Sequence, residues 1–276
     1  MLQEKILNKR TIKFAFLDLV GIGGNGRHLR VRPDDTFLVG YPKSGNTWLN
    51  FLVASLLAER VDDVSFKSIN AFVADVHALS PLALRRLTSA RYLKSHDYFN
   101  PKFPKVVHIV RHPYDVAVSY YYFLLKRRKF DESYSLSDFV GDWILGKWGE
   151  KYGTWKTHNY SWYEAGRDGT VHFLKYEDLK ADTAGELRAI ADHLGIPTTL
   201  EQITNSVMWC SSQNMAKLEK EGMKAGFKSM RGSRDDISFI QTSNERMKLL
   251  PSDKIAIGST WGDAQIWLCA VIRDCK

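Results

Sequence analysis

Three short stretches of this chain carry side chains that could do chemistry. The first is Lys43-Ser44-Gly45-Asn46-Thr47, which follows the apolar run TFLVG (36–40) and leads into a helical pattern. A strand, a tight glycine turn and a helix N-terminus together make an anion site, because unpaired backbone N–H groups and the positive end of the helix dipole face one point. Lys43 adds a full positive charge, and Ser44, Asn46 and Thr47 add short polar donors. A Walker A loop places its lysine after the glycines; here Lys43 precedes Gly45. The same residues also make an ordinary strand-to-helix turn with a solvated lysine. The second stretch starts at Arg111, which ends the run VVHIV (106–110). Pro113 is placed to open a helix and Asp115 to sit in its first turn. Ser119 then falls about two turns along, at ~1.5 Å rise per residue. A guanidinium fork with a hydroxyl suits a terminal phosphate, although an arginine at a sheet edge and a solvent-facing serine would read the same. The third is Lys94-Ser95-His96, at the end of RYLK (91–94) and between the two anion candidates. An imidazole with an ordinary pKa near ~6.5 serves as a base at neutral pH.

These stretches need elements to hold them. Four apolar runs read as buried strands: Thr36–Gly40, Arg91–Lys94, Val106–Val110 and Val171–Lys175. Helical patterns lie between them. Thr47–Glu59 carries Trp48, Phe51, Leu52 and Leu56 at helical spacing, Tyr114–Arg128 follows the third run, and Ala184–Leu194 stops at Gly195 and Pro197. Strands alternating with helices predict an α/β fold: a single domain with a mainly parallel central sheet flanked by helices. In such a sheet ligands bind beyond the carboxyl ends of the strands, where all three stretches fall.

The 276 residues, 44% hydrophobic and 25% charged, exclude a disordered chain, a collagen-like repeat and a coiled coil. The 3 cysteines (Cys210, Cys269, Cys275) are too few for a disulfide scaffold and lack metal-ligand spacing. They fit a reducing compartment. Lys+Arg exceed Asp+Glu by 39 to 31, a net +8 that suits an anionic ligand. No basic stripe with interleaved aromatics points to nucleic acid. No stretch reaches the ~18 apolar residues of a membrane span. The run Phe14–Ile22 contains Asp18 and reads as a helix in an N-terminal extension (1–34) rather than as a signal peptide. One domain over 1–276 is the simplest organisation.

The motifs match a known family in order and spacing. Tyr41-Pro42-Lys43-Ser44-Gly45-Asn46-Thr47-Trp48 resembles the 5′-phosphosulfate loop of sulfotransferases that use 3′-phosphoadenosine 5′-phosphosulfate (PAPS). Arg111 to Ser119 resembles that family's 3′-phosphate motif, and Lys94-Ser95-His96 its element carrying the catalytic base. Tyr176-Glu177-Asp178-Leu179 resembles its strand-end element, whose tyrosine contacts adenine. The resemblance spans roughly 35–263 and implies a P-loop-like sulfotransferase fold. It further implies His96 as base, Lys43 and Lys94 near the transferring group, and Lys43, Ser44, Gly45, Asn46, Thr47, Trp48, Arg111, Ser119 and Tyr176 as donor-binding residues. His158, in Gly153-x-Trp155-x-x-His158, falls near the acceptor side, with packing as its alternative. Two departures stand out. Cys210–Met215 resembles a cofactor-contacting stretch, but Ser212 replaces its usual phenylalanine. Gln241-Thr242-Ser243 stands where many members carry an Arg-Lys-Gly clamp, leaving Arg231, Arg234 or Arg246 as candidate substitutes.

The chemistry so implied is in-line sulfuryl transfer from PAPS to a small-molecule acceptor, with no metal, in a cytoplasmic enzyme. The overall style resembles bacterial members of the family, cyanobacterial secondary-metabolite enzymes in particular. That resemblance directs attention to N-sulfation of a guanidinium alkaloid such as saxitoxin, with Asp97, Asp131 and Glu132 as carboxylates to consider. O-sulfation of a phenol or alcohol is the alternative. The aromatics Tyr120–Phe123, Trp143, Trp148, Trp155 and Trp162 are pocket candidates, each also readable as core. A catalytically impaired nucleotide-binding protein and an ATP-dependent phosphotransferase are the rivals of other classes.

Overall fold

The computed structural model describes residues 29–87, 90–149, 152–166, 169–224, 233–234, 236–238, 240 and 248–261. The expected helix in 14–22 lies outside them, as do Gln241, Thr242, Ser243, Arg231 and Arg246.

Five strands form one parallel sheet: β1 (Thr36–Val39), β2 (Val73–Asp75), β3 (Tyr92–Ser95), β4 (Lys105–Val110) and β5 (Val171–Lys175), in the order β2-β3-β1-β4-β5. Four of them occupy the predicted apolar runs. β2 is an addition: three residues give too short a run to stand out from the flanking sequence. β3 begins one residue later than expected: the Arg91 carbonyl still accepts from the Thr36 N–H at 2.9 Å, while the Arg91 side chain makes a buried ion pair. Its Nε and Nη2 reach the Asp35 carboxylate at 2.7 and 2.5 Å, tying the lower ends of β3 and β1 together.

Alternation along the strands sorts two hydrophobic layers. Phe37, Val39, Leu93, Val106 and Val110 face one core, which includes Trp143, Trp155 and Trp162. These three indoles are fully buried, so they are core rather than pocket wall. Leu38, Val107, Ile109 and Leu174 face the other, with Leu49, Phe51, Leu52, Leu187 and Ile190. The helices supplying these layers include α1 (Asn46–Leu57), α4 (Pro113–Lys126), α5 (Leu136–Ile144) and α6 (Trp155–Ala165). Two short helices, α2 (Ile69–Phe72) and α3 (Pro81–Arg86), flank β2. Beyond β5 come α7 (Tyr176–Ala181), α8 (Thr183–Leu194), α9 (Leu200–Trp209), α10 (Ser212–Lys224) and a last helix, α11, over 251–261. The expected boundary signals act as read. Pro113 opens α4, and Gly195 closes α8 in the left-handed region at φ 70°.

The register sets the site. Val39 of β1 pairs with Ser95 of β3 and with His108 of β4, and Val110 of β4 pairs with Lys175 of β5. Gly40, His96, Arg111 and Tyr176 are therefore the residues that immediately follow four strand ends, gathered along one carboxyl edge.

Candidate active site

The loop after β1 is curled by two left-handed residues, Lys43 at φ 72° and Gly45 at φ 104°. Such a curl turns successive N–H groups to one concave side, an anion nest. Ser44 N–H and Asn46 Nδ2 both donate to the Tyr41 carbonyl, at 3.1 and 2.9 Å, and close the turn from inside. Gly45 is the N-cap of α1. A Cβ there would lie 2.5 Å from the Tyr176 ring, so only glycine lets that ring rest on the loop. Buried Ser44 Oγ has no protein partner among the described residues. A buried hydroxyl is costly to leave unpaired, and one beside a nest fits an anionic ligand.

The arginine and the tyrosine meet. Arg111 Cζ lies 4.3 Å above the Tyr176 ring centre, and its buried Nε has no acceptor among the described residues. The backbone of this corner is pinned: His112 N–H donates to Glu177 Oε1 at 3.0 Å, and the Trp155 indole N–H to the Arg111 carbonyl at 3.1 Å. Trp48 stands edge-on to Tyr176 at 5.7 Å and donates its indole N–H to the Cys210 carbonyl at 2.9 Å. That bond brings the start of α10 to the same corner. Ser212 there is exposed, with its Oγ 3.1 Å from Gln213 Oε1. Thr47 follows in the first turn of α1, and Ser119 is half-buried on α4. Arg234 is committed elsewhere: it pairs with Asp236 and Glu132, and so is not a substitute clamp in this structure. The same pairing takes Glu132 away from the site, while Asp131 accepts from the backbone of Ser133 at 2.9 Å.

His96 is oriented by the neighbouring strand end. Its Nδ1 lies 2.6 Å from the Gly40 carbonyl. A carbonyl only accepts, so Nδ1 carries the proton and Nε2 is left as the basic nitrogen. Burial, then the Lys94 charge, hold the imidazole well below its usual pKa, against the pull of the Gly40 carbonyl. The His96 imidazole is thus neutral at neutral pH. Lys94 itself donates to Asp75 Oδ2 at 2.7 Å. Burial raises the Asp75 carboxyl, but the Lys94 charge and hydrogen bonds outweigh it and leave the pKa lowered.

Sequence reasoning missed the β2 contribution. Asp75 and His77 come from a three-residue edge strand and its exit, with no motif around them. His77 stacks on His96 at 5.8 Å, and Tyr152 meets both rings edge-on at about 5.5 Å. Asp97 remains 41% exposed beside them, with Ser95 Oγ bound at 2.6 Å. Lys43 and Arg127 both sit over the Phe123 ring, at 4.8 and 5.5 Å. His158 is fully buried: its Nε2 lies 3.1 Å from the His96 carbonyl and its ring stacks on His108. Packing behind the base, its alternative reading, is its role.

A parallel sheet whose carboxyl edge gathers an anion nest, a stacked arginine and an imidazole has the parts a group-transfer enzyme with an anionic donor needs. Comparison with known proteins narrows that class. The sulfotransferase domain family matches residues 33–243, and the chain belongs to this family. Human sulfotransferase 1E1 is 31% identical over 214 residues, covering 72% of each chain, and the bovine form is 30% identical over 205 residues, covering 69% of each. Among solved structures, mouse sulfotransferase SULT7A1 in complex with PAP superposes with a TM-score of 0.60 at 21% identity, covering 86% of this chain and 87% of that one. Retinol dehydratase with androsterone and PAP gives 0.64 at 18%, covering 91% and 84%. No helix among the described residues is long and apolar enough to cross a membrane.

Proposed function

We propose that the chain transfers the sulfuryl group of PAPS to a nitrogen or oxygen of a small-molecule acceptor, with His96 as base. The observation that carries this is the Nδ1 bond to Gly40, which leaves His96 Nε2 basic on the edge that also bears the nest. PAPS supplies a sulfuryl group on a phosphate leaving group. The chain's own residues fit it. The nest, Lys43, Ser44, Asn46 and Thr47 take the 5′ end, Arg111 and Ser119 the 3′-phosphate, and Tyr176 and Trp48 flank the adenine. Ser212, Gln241, Thr242 and Ser243 remain donor-side assignments made on the family resemblance alone. His96 Nε2 accepts the acceptor's proton, a contribution of about 10²–10⁴ in rate. Lys43 and the nest N–H groups stabilise charge on the leaving oxygen, about 3–4 kcal/mol for such a donor elsewhere. Lys94, held by Asp75, faces the same region. No step is assigned to a metal.

Two acceptor classes follow, each with an observation behind it. N-sulfation of a guanidinium alkaloid such as saxitoxin, in secondary metabolism, is supported by the Asp97 carboxylate beside His96, a partner for a planar cation. O-sulfation of a phenol is supported by the two cations on Phe123, which favour a developing phenolate. Incubation with PAPS and pools of guanidinium alkaloids, phenols, alcohols and aminosugars, read by mass spectrometry for one added sulfuryl group, tests both. A product lost in His96→Ala sustains the reading. Tight PAP binding with no product in any pool replaces it with a nucleotide-binding protein that has lost catalysis.

A further inference from the structure

The pairing of β2 with β3 ends in an unusual way. Val76 N–H still donates to the Lys94 carbonyl at 3.1 Å, as a parallel ladder requires. The next donor, His96 N–H, bonds not to a carbonyl but to the His77 side chain, whose Nε2 lies 3.1 Å away. His77 N–H in turn donates to Asp75 Oδ1 at 2.8 Å, and the other Asp75 oxygen holds Lys94. One chain of contacts therefore runs from Lys94 through Asp75 and His77 to the main chain of His96.

We infer that His77 is a positioning residue for the base: its imidazole replaces a ladder carbonyl and fixes the His96 backbone, and so the aim of His96 Nε2. The inference deepens the proposed reaction and rests on it. An acceptor at Nε2 requires His77 to be neutral, with its proton on Nδ1. A second proton would place a donor against the His96 N–H and a positive charge one ring stack from the base. Asp97 Oδ2 lies 3.9 Å from His77 Nε2, Asp75 accepts the His77 backbone N–H, and the Tyr152 ring edge covers both imidazoles.

Two variants of the full chain test this with PAP bound. His77→Gln offers an amide oxygen near the place of Nε2 and does not titrate; His77→Phe keeps a flat ring and offers no acceptor. Long-range 1H–15N spectra of the imidazoles should show His96 in the Nδ1–H form in the wild type and in His77→Gln, and a mixture of forms in His77→Phe. Turnover is followed with 4-nitrophenol or saxitoxin, whichever is sulfated. His77→Gln should keep kcat within about threefold. His77→Phe should lose about 10-fold or more in kcat with acceptor KM nearly unchanged. A His77→Phe protein with wild-type kcat and wild-type spectra, or a His77→Gln protein as impaired as His77→Phe, overturns the inference. PAP affinity, titrated in parallel, separates these results from a failure of the donor reading, which would abolish nucleotide binding in the wild type as well.

Discussion

On one side of Gly40 the site is made of backbone, and on the other of side chains holding side chains. The nest depends on two left-handed residues and on a glycine that admits the Tyr176 ring. Its geometry is local, spanning a few residues after β1. The base side depends on Asp75, His77, Lys94 and His96, drawn from two strands 19 residues apart and joined by 2.7–3.1 Å contacts. A local device survives many changes elsewhere and is weakened by changes in its own few residues. A relay of side chains tolerates conservative replacement at each link but fails when one link loses its acceptor.

The largest expected effect separates the two sides outright. His96→Ala should lower kcat by about 10²–10⁴ while PAP affinity, read by calorimetry, stays within about twofold. A parallel loss of PAP binding would merge the two sides into one. Next, Arg111→Ala removes charge-assisted hydrogen bonds of about 1.5–3 kcal/mol, so PAP should weaken by about 10–100-fold. The nucleotide lacking a 3′-phosphate should weaken much less, and equal weakening of both would take Arg111 off that phosphate. Arg111→Lys should not restore binding, because an ammonium lacks the planar fork.

The third effect is on stability. Burial, partly offset by the hydrogen bond to the His96 carbonyl, lowers the His158 pKa to about 4. The folded state thus binds fewer protons than the unfolded chain below ~6.5. Stability is complete above that pH and falls as pH drops toward 4. Between pH 7.5 and pH 5 the loss from His158 alone is about 2 kcal/mol, or about 4–8 °C in Tm for a chain of this size. His96 and His108, both pushed well below the usual value by burial, act in the same direction. A thermal midpoint that does not move over this range would refute the neutral, buried assignment. The smallest effect falls on the nest. Gly45→Ala puts a side chain at φ 104° against Tyr176, with a left-handed cost of about 1–2 kcal/mol. PAP affinity should fall while the His96 tautomer is untouched.

The same contrast explains what the sequence disclosed. TFLVG, VVHIV and VHFLK are apolar runs because central parallel strands are buried on both faces, and a run of that kind is visible without a structure. Arg111 and Tyr176 directly follow such runs and Lys43 comes three residues after one, so their placement on the carboxyl edge was legible. Lys94 was read as lying near the transferring group, and its Asp75 partner was not seen. An edge strand of three residues leaves no run, and a carboxylate 19 residues upstream has no periodic relation to its lysine. Among the aromatic residues, Trp143, Trp155 and Trp162 fill the core between the sheet and its helices, the reading preferred for each one singly, whereas Phe123 carries the two cations.

The central position of β1 also has a consequence in time. Its partners begin at Tyr92 and Lys105, so the strand emerges from the ribosome more than fifty residues before anything can pair with it. At about 5–20 residues per second that is a wait of roughly 3–11 s. During this interval four residues that end buried, Thr-Phe-Leu-Val, have both strand edges open to water. Nascent chains of this protein should therefore draw on a holding chaperone between the synthesis of Val39 and that of Val110, and little afterwards.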